Sequence, residues 1–197
     1  MVDVDGVILI PPAPHGWSTH LERDLGLAPT VLQEAFFKPH FADIVAGRAG
    51  LRERLEPVLA SIAPQLTAER LIGYWFEHDF HPDEDLLAAL AQVRAGGFPV
   101  SLATVQEHER ARYLWETRAL NQRFDALHYS AELGAVKPQP EFYAVIEART
   151  GLTAGELAFI DDKAVNVEAA RERGWRAEVW TGEQTLDELL PELFSVR

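Results

Sequence analysis

The chain has no cysteine among its 197 residues, which excludes disulfides and thiolate metal sites and fits a reducing compartment such as the cytoplasm. Positive charge is also scarce. Lysine and arginine number 18 against 31 aspartates and glutamates, a formal net charge of −13 with no basic block, which weighs against nucleic acid and anionic membrane as partners. No apolar run approaches the roughly 20 residues that a spanning helix needs, and no stretch has the layout of a signal peptide. Internal repeats and low-complexity tracts are missing too. The expectation is a soluble, cytoplasmic protein, and with 47% hydrophobic content 197 residues suffice for one core and a modest insertion. Nothing in the composition reports an oligomeric state.

Against this background the opening MVDVDGVILI stands out. In an extended chain, side chains at i and i+2 share a face, so Asp3 and Asp5 would converge on one spot, with Gly6 directly behind them. Two crowded carboxylates repel, and a cation, a proton or a hydrogen-bond donor must offset the repulsion; Mg²⁺ does so most directly. Short strand-like runs recur at 98–104, 124–130, 157–161 and 176–180. Helical patterns lie between them over Pro82 to Ala95, Glu107 to Leu120, Glu141 to Thr150 and Lys163 to Arg173. This alternation predicts an α/β fold, a doubly wound parallel sheet. Only Met1 and Val2 precede Asp3, so the first strand is expected to be short. Residues 15–79 contain helix-like pieces and no convincing strand, which predicts a small helical insertion after strand 1, with residues 1–14 and 80–197 forming the α/β core. PPAPHG and HDFHPDED flank the insertion as hinge-like connections.

Ligands of such a sheet bind outside the carboxyl ends of the strands. Those ends carry Asp3 and Asp5, Thr104, Lys137 in the loop after the third run, and Asp161 with Asp162. Each has an ordinary explanation by itself: a threonine caps a helix, a lysine in a Pro-containing loop is solvated, and paired aspartates meet a helix dipole. Together and in this order, the ordinary explanations lose force. His78, Asp79, His81 and Asp83 read as a solvated hinge rather than a second metal site, and QEHER is not the zinc pattern HExxH. The aromatics Trp17, Phe36, Phe37, Phe41, Trp75 and Phe76 read mainly as the core of the insertion, any one of them being a candidate to face a ligand. Arg48 and Arg52 are either the polar face of a helix or contacts to an anion.

DVDGV, the threonine of LATVQ, the lysine of GAVKPQPEFY and the acidic pair of FIDDKAVNVEAARERGW together resemble the four motifs of the haloacid dehalogenase-like (HAD) hydrolase superfamily, in order and over nearly the whole chain. FFKPHFADIVAGRAGLRERL further resembles the branch with a small helical cap, similar to sugar-phosphate phosphatases and the amino-terminal phosphatase domain of epoxide hydrolases. The resemblance implies a phosphatase acting on a small phosphorylated metabolite, with Asp3 as nucleophile and Asp5 as general acid and base. Thr104, Val105 and Lys137 would meet the phosphoryl oxygens. Asp162, with Asp161 or Asn166 in support, would hold Mg²⁺ together with Asp3 and the Asp5 main-chain carbonyl. Asp162 is favoured as the direct ligand because it falls where the motif's usual Gly-Asp places one. In the cap, His15, Trp17, His20 and Arg48 are the expected substrate contacts. A phosphomutase, a non-catalytic module and a dehalogenase are the alternatives, and the presence of Asp5 argues against the last. Substrate identity is not legible.

Overall fold

The computed structural model describes residues 1–10 and 16–194. Most of the PPAPHG connection, with His15, lies outside the described residues.

Residues 16–78 are helical. They comprise α1 (Leu21–Leu25), α2 (Pro29–Leu32), α3 (Lys38–Val45), α4 (Leu51–Ile62) and α5 (Ala68–His78). In α5 the Thr67 hydroxyl accepts a hydrogen bond from the Arg70 amide and starts the helix, while Leu71, Ile72, Trp75 and Phe76 fall on one face. That face joins Leu21, Phe36, Leu55 and Leu59 in an apolar cluster of the helical layer's own. The chain enters and leaves this layer side by side: the Ile10 amide donates to the His81 carbonyl at 2.9 Å and the Asp83 amide to the Ile8 carbonyl at 2.9 Å.

The remainder runs α6 (Glu84–Ala95), β1 (Leu102–Thr104), α7 (His108–Arg112), α8 (Leu120–Arg123), β2 (Leu127–Tyr129), α9 (Ser130–Leu133), α10 (Pro140–Thr150), β3 (Ala158–Asp161), α11 (Ala164–Glu172), β4 (Arg176–Val179) and α12 (Leu186–Phe194). β1 pairs with β2 and β3 with β4, both parallel. Val2 bridges the two pairs through parallel contacts to Leu102 and Ile160, so the opening segment lies at the centre of the sheet. It is short, as expected, because the chain turns after Asp3; the Leu9 amide already donates back to Val4 at 2.9 Å. Along the strands, alternate side chains face opposite cores. Leu102 and Ile160 pack with Leu86, Leu90 and Leu114, whereas Ala103 and Phe159 pack with Phe142, Tyr143 and Trp175. Helices therefore cover both faces, the doubly wound arrangement that the alternation predicts.

Two helix boundaries differ from the sequence expectation. The helix expected from Pro82 begins at Glu84 because the Asp83 carboxylate caps it, accepting from the Leu86 amide at 2.9 Å. The helix expected over Glu107 to Leu120 stops at Arg112, widens into one π turn over Tyr113–Thr117 and breaks at Ala119, whose φ is 57°. The wider turn buries Leu114 in the sheet core and sets Tyr113 against both the sheet core and the helical layer. Among the described residues no helix is long and apolar enough to cross a membrane.

Candidate active site

At the carboxyl ends of the central strands the sheet gathers buried charge. Lys137 Nζ lies 2.8 Å from Asp3 Oδ1 and 2.5 Å from Asp161 Oδ2, and it also donates to the Ala103 carbonyl at 3.0 Å. All three charged side chains are at most 5% exposed. One ammonium thus serves two buried carboxylates, an arrangement short of positive charge. Burial pushes the Asp3 carboxyl well above the usual carboxylate range; Lys137 opposes the rise and Asp161 and Asp5 add to it.

Asp161 is fully engaged. Besides Lys137, it accepts from the Lys163 amide at 2.8 Å and from Asn166 Nδ2 at 2.9 and 3.0 Å on its two oxygens. Tyr143 donates to the Asn166 carbonyl at 2.8 Å and steadies that residue. Asp162 differs: its Oδ1 is buried and has no hydrogen-bond partner, and burial raises its carboxyl above the ordinary value. One oxygen from each of Asp3, Asp161 and Asp162 lies within 4.8 Å of the others. A hard cation fits this set, since three carboxylates share one ammonium and one oxygen lacks a donor. Asp162 is the member with an uncommitted oxygen, which favours it over Asp161 as a direct ligand. Gly6 makes the approach feasible. Its φ is +86°, and a Cβ there would stand 2.6 Å from Asp162 Oδ2.

A cavity of about 280 Å³ opens over this cluster and is lined by Asp3, Asp5, Thr104, Val105, Lys137 and Asn166. Lys163 and Val165, from the start of α11, complete its rim. The structure therefore brings Asp3, Asp5, Thr104, Val105 and Lys137 to one space, with Asp161 and Asp162 beside them.

The cap candidates are placed differently. Trp17 stacks on Trp75 with ring centroids 5.4 Å apart and packs against Phe37, inside the aromatic cluster of the helical layer. Arg48 pairs with Asp43 at 2.7 Å on the surface, and Arg52 pairs with Glu109 at 2.8 Å. Neither Trp17 nor Arg48 lines the cavity, because stacking and a local ion pair hold their side chains elsewhere. His20 is exposed. His78 and His81 donate to the carbonyls of Tyr74 and His78.

Asp79 corrects the reading of its segment as a solvated hinge. Its carboxylate is 20% exposed and pairs with Arg110 Nη2 at 2.9 Å. The same Nη2 reaches Asp5 Oδ1 at 3.1 Å, and Gln106 Nε2 donates to Asp5 Oδ2 at 2.6 Å. Arg110, whose side chain is 2% exposed, lies against the adjacent Trp75 and Phe76 rings, with its guanidinium carbon 5.9 and 5.8 Å from their centroids. Its Nη1 is buried without a partner, a state that costs about 1–3 kcal/mol. Gln106 and Arg110 are missing from the sequence-based candidates; the available signal was their closeness to Thr104 at the carboxyl end of β1, Gln106 in the connection to α7 and Arg110 within α7.

A parallel sheet with helices on both faces and a carboxylate cluster at its central strand ends defines a doubly wound α/β scaffold with a ligand site at those ends. The family model for haloacid dehalogenase-like hydrolases matches residues 59–179, more than half of the chain, and the protein belongs to that family. It is 34% identical over 114 residues to a phosphatase of Mycobacterium tuberculosis, covering 57% of this chain and 52% of that protein. It is 28% identical over 93 residues to bifunctional epoxide hydrolase 2 of Rattus norvegicus, covering 45% of this chain and 17% of that one. The chain thus spans about half the length of the first relative and under a fifth of the second. Among solved structures, a HAD family enzyme of Bacteroides thetaiotaomicron in complex with magnesium and inorganic phosphate superposes with a TM-score of 0.79 at 16% identity, covering 95% of this chain and 96% of that one. L-2-haloacid dehalogenase of Xanthobacter autotrophicus superposes with a TM-score of 0.65 at 18% identity, covering 98% and 80%.

Proposed function

We propose that this protein is a Mg²⁺-dependent phosphatase of small phosphorylated metabolites such as sugar phosphates. The observation that carries the reading is the buried Asp3–Lys137–Asp161 cluster with the uncommitted Asp162 oxygen beside it. The phosphatase relative and the magnesium and phosphate bound by a structural neighbour support it. Asp3, Asp162 and the Asp5 carbonyl would hold Mg²⁺, with Asp161 and Asn166 in support, and the ion would supply positive charge that offsets nucleophile and phosphate.

An Asp3 oxygen attacks phosphorus. The bond from phosphorus to the leaving oxygen breaks, its electron pair goes to that oxygen, and Asp5 gives it a proton. Water then returns a proton to Asp5 as it attacks the aspartyl-phosphate; the bond from phosphorus to Asp3 breaks, freeing phosphate and the carboxylate. Thr104 and Val105 meet the phosphoryl oxygens, and Lys137 favours the ionised form of Asp3 against its burial. Residues 15–79 act as a cap that sets substrate preference, with Trp17 and Arg48 as its candidate contacts on closure. A cytoplasmic site of action belongs to the same reading, in keeping with a cysteine-free chain.

The fold likeness to a haloacid dehalogenase supports a second reading, attack of Asp3 on carbon. Asp5 favours the first, since a departing halide needs no proton. A screen of phosphorylated metabolites with Mg²⁺ and with excess chelator tests the choice. Phosphate release that stops on chelation and returns with Mg²⁺ is expected; full turnover in chelator would sink the proposal.

A further inference from the structure

We propose that Arg110 is a positioning residue that ties the direction of the Asp5 carboxylate to the docking of the helical layer, through Asp79. The inference rests on the phosphatase reading for its kinetic consequence and on geometry alone for its mechanical one.

A single nitrogen makes the connection. Arg110 Nη2 donates to Asp5 Oδ1 at 3.1 Å, on the sheet side, and forms an ion pair with Asp79 Oδ2 at 2.9 Å, at the end of α5. Asp79 is itself held by the Trp75 indole N–H at 3.3 Å. Both oxygens of Asp5 are then engaged, because Gln106 Nε2, from the connection between β1 and α7, donates to Oδ2 at 2.6 Å. Two donors, one from the β1–α7 connection and one from α7, fix the plane of a carboxylate that borders the cavity. The guanidinium in turn packs against Trp75 and Phe76, both from α5. If the helical layer lifts away, Arg110 loses Asp79 and two aromatic walls together, and Asp5 keeps only Gln106 as a firm partner.

The buried, unpartnered Nη1 strengthens the case. An arginine present only to stabilise the interface would have its donors satisfied, whereas one that leaves a donor unmet while bridging two carboxylates is placed for geometry. Other contacts dock the layer without touching Asp5. Arg52 pairs with Glu109 at 2.8 Å, Ser130 Oγ donates to the Val45 carbonyl at 2.6 Å, and a Cβ at Gly47 would run into the Ala131 carbonyl. The Arg110 link is set apart from these by its second partner.

Turnover of p-nitrophenyl phosphate and of glycerol phosphate, measured for the unaltered protein, Arg110→Lys, Asp79→Asn and Glu109→Gln, tests the kinetic half. A misdirected Asp5 should lower kcat by about 10²-fold in Arg110→Lys with KM little changed. The loss should be larger for glycerol phosphate, because p-nitrophenolate leaves without a proton. Asp79→Asn should show the same pattern more weakly, and Glu109→Gln should leave both substrates unaffected. Equal loss for both esters, or a loss confined to KM, would overturn the positioning role. Hydrogen exchange tests the mechanical half without turnover: Asp5→Asn should speed exchange of the amides over residues 75–83, and unchanged exchange there would overturn the coupling. If the unaltered protein hydrolyses neither ester, the phosphatase reading fails while the exchange result still decides the link.

Discussion

The sheet ends and the helical layer bury different things. Beneath the cavity, Lys137, Asp3 and Asp161 hold charge at most 5% exposed, whereas the helical layer buries Leu21, Phe36, Leu55, Trp75 and Phe76 around almost no polar side chain. A buried ion cluster is poor scaffolding, since desolvation offsets its attraction, so its presence marks chemistry rather than stability. An apolar cluster is the reverse: it holds a shape and can move as a body. The two regions meet at Arg110, where a charge from the sheet side packs against aromatics of the helical layer.

The sharpest way to break this contrast is at Lys137. Lys137→Ala leaves Asp3 and Asp161 buried without countercharge and should cost about 3–5 kcal/mol of stability in chelator, read by denaturant unfolding. Truncation of Trp17 should cost less, because its loss opens only part of an apolar stack. Equal costs would mean that the cluster is ordinary packing.

Gly6→Ala sharpens the account of the metal ligands. The new methyl stands 2.6 Å from Asp162 Oδ2 and must displace it, so the Mg²⁺ concentration for half-maximal activity should rise about 10–100-fold while the fold survives. An unchanged Mg²⁺ requirement would take Asp162 out of the ligand set.

The smallest effect is a pH dependence at the contact between the regions. Burial raises the Asp79 carboxyl to about 6, with Arg110 opposing the rise and Asp5 adding to it. The folded protein therefore keeps this proton to higher pH than the unfolded chain does. The stability it contributes is complete below the ordinary carboxylate range and is lost as pH rises through about 6. Relative to Asp79→Asn, the unaltered protein in chelator should lose on the order of 2 kcal/mol between pH 4 and pH 7. A constant difference in Tm across that range would show that Asp79 ionises freely.

The sheet-end residues were legible because strand geometry is local. Thr104 and Asp161 end apolar runs in plain view; Asp5 reaches the cavity through the turn after Asp3 and not by the expected extended spacing. The opening strand's shortness was legible in the same way. Arg110 was not, because QEHER alone looks like a solvent-facing helix start and its side chain packs against α5, more than thirty residues upstream. Asp79 misled for the same reason: polar neighbours and prolines describe its local chain, and its partner is remote. Trp17 and Arg48 depend on how the helical layer is turned, which periodicity does not report.

In the proposed reaction Asp3 takes the phosphoryl group and Asp5 moves the proton. Acid quenching of the protein mixed with a ³²P-labelled phosphomonoester and Mg²⁺ reads this directly. Label should remain on the unaltered chain and on Asp5→Asn, whose turnover falls by about 10²–10⁴-fold, and should be absent from Asp3→Asn. Label retained by Asp3→Asn would contradict the account.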